Sequence, residues 1–196
     1  MTFLLGLLLV GILIETRLTT PRLGVYGFIG QALLVFWTCV FFALQEGVES
    51  VSMAPWMMMF FGMLCLLPLS LLYLRVRKDS DEEGVESFNP NRMLVGVGLF
   101  MAAAYVVMDL LNPFAPGRDY VAAGIGLFYF GLRLLAMSRT LTVRMVGLAS
   151  AVNGFFLTGY FLAGGSFSVF LFCFAMDVVA AVLISVMAAA NMESRA

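Results

Sequence analysis

From Leu23 to Gln45 the chain carries no charged residue, and such gaps recur along its whole length. Seven apolar runs can be read, at about 2–16, 23–44, 51–74, 93–111, 120–138, 144–163 and 167–190. A helix needs about 20 residues to cross roughly 30 Å of hydrocarbon. Lipid offers the backbone no water to bond, so a spanning segment must be a helix or part of a closed barrel. Barrel strands are about ten residues long and alternate in polarity, whereas these runs are continuously apolar. The chain is therefore expected to be all-α and polytopic. Composition agrees. Charged residues are 12% of the chain, against about a quarter in a soluble domain, and the mean hydropathy is +1.02. No soluble domain is left over, because the longest loop is about 77–91.

The first run is short, since Thr2 to Ile14 rises only about 20 Å as a helix. It spans only if Glu15 and Thr16 sit among the headgroups, if the bilayer thins locally, or if the true start lies upstream. It has no basic leader and no small-x-small cleavage site, so it is read as a retained helix rather than a signal peptide.

Seven runs give alternating sides. One side receives Arg17, Arg22, Arg75, Arg77, Lys78, Arg92, Arg139, Arg144 and Arg195, with Arg133 able to snorkel towards it; the other receives Arg118 alone. An excess of Lys and Arg marks the cytoplasmic side. The amino terminus is therefore expected outside and the carboxyl terminus in the cytoplasm. The acidic stretch DSDEEGVES falls on the cytoplasmic side too, but acidic residues count little in this rule.

The two ends of the chain resemble each other. Arg17 and Arg22 are five apart, as are Arg139 and Arg144. Gln31 lies 14 after Arg17, and Asn153 lies 14 after Arg139, so the offset is 122 in each case. Thr19 and Thr20 follow the first arginine of one copy, Thr140 and Thr142 that of the other. The reading is two three-helix units, 1–76 and 120–196. Between them come the 77–91 loop, a connecting helix over 92–111 and an outer loop at 112–119. The extra crossing makes the units parallel rather than inverted, and internal repeats are a common way to build membrane proteins. Chance similarity of two Arg-flanked apolar runs is the competing account.

Asp177 is the sharpest polar signal, about ten residues from either end of its run. A carboxylate near the midplane costs at least about 2.5–3.5 kcal/mol, and intramembrane acids usually mark proton or ion pathways. The alternative is a protonated Asp bonding a neighbouring helix. Asn153 and Gln31 are milder; each is a waypoint for water or protons, or a cross-helix clamp. Asp109 reads as interfacial and Arg133 as a snorkelling side chain. Arg17, Arg22, Arg139 and Arg144 are candidates for headgroup or partner-carboxylate contacts at the cytoplasmic face.

Other patterns carry less. GVGLF at 96–100 and GIGLF at 124–128 lack the preceding strand and third glycine of a dinucleotide loop. MAPWMMMFFGM at 53–63 has no nearby ligand at suitable spacing to make it a metal site. Gly147/Ala151 and Gly159/Ala163 are small-xxx-small pairs that favour close helix contact. The chain has no histidine, and Cys39, Cys65 and Cys173 fall in three different runs. Iron–sulfur clusters need grouped cysteines and haem usually needs histidine, so no cofactor is expected.

SRTLTVRMVGLASAVNG, residues 138–154, resembles the start of the second helix in the small K-type membrane subunit of respiratory complex I. The run through Asp177 resembles that subunit's third helix, which carries an acid. Over most of residues 10–192 the chain resembles the component E family of hydrogenase-4. That family belongs to the membrane arm of group 4 hydrogenases and formate hydrogenlyases. Asn153–Gly154, Asp177 and LLPLSLLYLRVRK at 66–78 carry the likeness. It departs at Ala149, where the K-type subunit has glutamate. It departs again at Val152 and at about Met63, where component E has glutamate and lysine. The resemblance implies a non-catalytic subunit in a bacterial or archaeal cytoplasmic membrane, supporting or lining a path for protons or sodium ions. It also implies as partners antiporter-like large membrane subunits, a quinone-site or hydrogenase-type anchor subunit, and lipids, but no nucleic acid. A stand-alone transporter or channel is the rival; one acid and two amides are few to hold a polar solute. A purely structural assembly subunit is the third reading.

Overall fold

The structure is a computed structural model, and it describes residues 6–8, 10–11, 21–46, 89–114, 117–138, 141–162 and 167–193. Among these residues the protein is all-α. Five helices are seen: α1 (Pro21–Glu46), α2 (Pro90–Leu111), α3 (Arg118–Met137), α4 (Leu141–Leu162) and α5 (Phe167–Glu193). Four are long and apolar enough to cross a membrane, over Gly24–Phe42, Asn91–Leu111, Arg118–Met137 and Val143–Leu162. The run at 51–74 and the loop at 77–91 lie outside the described residues, as does most of the run at 2–16.

α2 begins three residues before its apolar run. Asn89 caps α2: its Oδ1 accepts from the backbone N–H of Asn91 at 3.0 Å and of Arg92 at 3.4 Å. Pro90 follows it in the first turn, where a missing N–H costs nothing. The α2–α3 turn needs Gly117, whose φ of +79° is left-handed. A Cβ there would also collide with the Phe161 ring.

The helices meet through glycine. α3 and α4 run antiparallel, and Gly124 and Gly131 on one face Gly154 and Gly147 on the other. The apposition is reciprocal. A Cβ on Gly131 would lie 2.5 Å from the Gly147 carbonyl oxygen, and one on Gly147 would lie 2.8 Å from that of Gly131. The Gly124–Gly154 pair repeats this at 2.9 and 2.6 Å. Lipid tails are as apolar as leucine, so helices in a membrane associate by close packing rather than by the hydrophobic effect. Backbone against backbone is the closest packing available. Glycines seven residues apart keep one stripe in contact with a helix that crosses at a shallow angle.

α4 is the hub, packing against α1, α3 and α5, while α2 packs on the far side of α3. Accordingly 67% of the α4 span is buried and only 11% of the α2 span. α2 fits α3 by a second exchange of glycines: Gly96 receives Tyr129, and Gly126 receives Met101. Phe100 stacks on Tyr129 with centroids 4.3 Å apart. α1 and α4 run parallel, because Gln31 meets Ser150 and, further along both helices, Phe42 meets Tyr160 and Phe161. Tyr120 stacks on Phe161 at 4.7 Å, so α3 closes this aromatic end of the bundle. α5 touches α4 through Phe155 and Phe172 and buries Ala180 and Ile184.

Candidate functional site

Two buried polar side chains bond where α1 meets α4. Gln31 is 3% exposed and Ser150 is 0% exposed. The Ser150 hydroxyl donates to Gln31 Oε1 at 3.0 Å, joining residues 119 apart in the chain. The bond follows from the setting. A buried amide without a partner costs free energy, and helices in lipid supply partners from one another. Two other hydroxyls turn back on their own helix. Thr38 donates to the Leu34 carbonyl at 2.7 Å, and Thr158 to the Gly154 carbonyl at 2.8 Å.

Asn153 differs from Gln31. It lies one turn beyond Ser150 on α4 and is 2% exposed, yet its Nδ2 has no hydrogen-bond partner among the described residues. The two amides that correspond in sequence are thus unequal in structure. Asp177 lies in α5, three residues before Ala180 and seven before Ile184. Its side chain lies outside the described residues.

The arginines divide similarly. Arg17 and Arg139 lie outside the described residues. Arg22 is in the first turn of α1, but its side chain is not among those described. Arg144 Nε donates to the Ser138 carbonyl at 2.8 Å, which ties the start of α4 to the last turn of α3. At the opposite end Arg118 bridges Asp109 at 2.5 Å, donates to the Pro113 carbonyl at 2.6 Å and lies 5.3 Å from the Tyr105 ring centroid. That cluster fastens the α2–α3 turn. With both side chains partly exposed, the ion pair itself contributes on the order of 0–1 kcal/mol.

Chemically, amides bind and orient but do not titrate near neutral pH. Gln31 and Asn153 can position water or a bound group, but neither can take up and release a proton. Sequence reasoning did not find Ser150 as the partner of Gln31, nor the roles of Gly124 and Gly131. The seven-residue spacing of both glycine pairs was the available signal. Cys39 is buried in the core, where cysteine packs as a small apolar residue.

No family model, curated protein or solved structure matches the chain.

Proposed function

We propose that this chain is a non-catalytic subunit of the membrane arm of a complex-I-like or group 4 hydrogenase-like assembly. In this reading it has seven spans, with two parallel three-helix units joined by α2. Asp177 is the titratable point of a proton or sodium-ion path in the bilayer, and Asn153 and Gln31 are its polar neighbours. The amino terminus is outside. The ends of the helices near Asn89, Ser138 and Arg144 face the cytoplasm, and the Asp109–Arg118 cluster faces out. Antiporter-like subunits and a quinone-site or hydrogenase-type anchor flank the chain, and electron transfer occurs in other subunits.

The supporting observation is the parallel pairing of α1 with α4. Parallel units require their second helices to run the same way. The Gln31–Ser150 contact has a separation of 119 residues, and the sequence correspondences have an offset of 122. The difference is less than one helical turn of about 3.6 residues. The exposed apolar faces of α2 and α5 leave area for lipids or neighbouring subunits.

Purification of the tagged protein from its native membrane in mild detergent tests the reading. Large antiporter-like and hydrogenase-like or quinone-site chains are expected to co-elute in fixed ratio. In the recovered complex, Asp177→Asn is expected to lower proton transfer while the subunits stay together. Recovery of this chain alone, or only with itself, overturns the membrane-arm reading in favour of a small stand-alone transporter.

A further inference from the structure

Where α2 begins and α3 ends, the helices leave a cavity of about 210 Å³. That is room for about seven waters at about 30 Å³ each. Asn89, Arg92, Arg133 and Ser138 are among the residues that line it, together with the apolar Leu134 and Met137. No acidic side chain is among the described residues that line it. Arg133 Nε is buried and has no hydrogen-bond partner among the described residues. Two arginines therefore line one small space that no acidic side chain of the described residues lines, beside the first turn of α2.

Such a cavity favours an anion, and the planar fork of arginine matches the oxygens of a phosphate. Depth selects the source. The cavity sits at the ends of the two apolar spans Asn91–Leu111 and Arg118–Met137, the level of lipid headgroups. Val95 and Leu99 on α2 and Phe128 and Leu132 on α3 are exposed within the next few turns, an apolar track for acyl chains. Basic pockets between spanning helices on the cytoplasmic side are a recurrent site for acidic lipids. We propose that Arg92 and Arg133 bind a phosphodiester anion in this cavity, supplied by the headgroup of an acidic membrane lipid. The site is distinct from Arg144, whose Nε is engaged by the Ser138 carbonyl, and it does not depend on membership of a larger complex.

The full-length chain is stripped of lipid in neutral detergent, and thermal unfolding is followed on adding phosphatidylglycerol, phosphatidylcholine or inorganic phosphate. Phosphatidylglycerol is expected to raise the melting temperature and phosphatidylcholine to leave it unchanged. Apparent affinity should fall about fivefold for Arg92→Gln, and by a similar factor for Arg133→Gln. Should Arg133→Gln fail to fold, Arg133→Lys, which keeps the charge and loses the fork, is expected to give a smaller loss. Inorganic phosphate acting as well as phosphatidylglycerol, with the same losses in the variants, would keep the site but make free phosphate its ligand. An equal response to phosphatidylcholine, or no response to either phosphate source, overturns the site. So does a phosphatidylglycerol response that both variants leave intact, and a cavity already neutralised by the chain's own acidic residues would give no response.

Discussion

Gln31 and Asn153 show how much a single partner decides for an amide in lipid. Both are visible in the sequence as polar interruptions of apolar runs, and their correspondence is visible too. That Ser150 would serve one and no described residue the other was not legible, because it depends on which helices touch and in what register. Double-mutant cycles between helices in a membrane average about 0.6 kcal/mol. The Gln31→Met and Ser150→Ala cycle is expected to return a coupling of that order in an unfolding assay. No coupling would mean the bond does not hold α1 to α4. Asn153 should behave in the opposite way. Its Nδ2 already carries the cost of being buried without a partner, about 1–3 kcal/mol, so Asn153→Leu is expected to be neutral or stabilising. Destabilisation of 1 kcal/mol or more by that change would show that a group outside the described residues satisfies the amide.

At the scale of helices, five of the seven apolar runs fall within the described residues. The runs at 23–44, 93–111, 120–138, 144–163 and 167–190 each became one helix, displaced by no more than three residues at either end. Apolar length is a strong local signal, since lipid leaves the backbone no other way to satisfy its polar groups. Pairing is not a local signal. Gly147 and Ala151 were expected at a helix contact, and the structure seats them against Gly131 of α3. Gly24 of α1, by contrast, meets nothing within 4 Å among the described residues. The seam yields a sharp contrast. Gly98→Ala enters open space and should gain up to about 1 kcal/mol of helix propensity. Gly131→Ala would drive a methyl group into the Ala151 amide and the Gly147 carbonyl. Backbone cannot rotate aside as a side chain does, so a loss of at least about 1–3 kcal/mol is expected. Equal melting temperatures for the two variants would show that α3 and α4 do not approach so closely.

For the whole molecule, the asymmetry of charge is the property that sets its direction in the bilayer, and it can be checked with impermeant thiol reagents. In a variant with Cys39, Cys65 and Cys173 replaced by alanine, Asn112→Cys is expected to label on intact cells. Asn91→Cys should label only after the membrane is opened. Both residues are exposed at helix ends, and the reverse pattern would invert the orientation. The Gln31–Ser150 bond carries a further consequence, one of timing. Its two halves are 119 residues apart, and a ribosome adds about 5–20 residues each second. For about 6–24 seconds after Gln31 is made, Ser150 does not yet exist. Throughout that interval α1 lacks the bond from Ser150, or is held by the insertion machinery until α4 arrives. Assembly of this bundle is thus limited by translation as well as by packing. Slowing the ribosome between residues 46 and 141 would lengthen the exposure of the nascent chain to proteolysis.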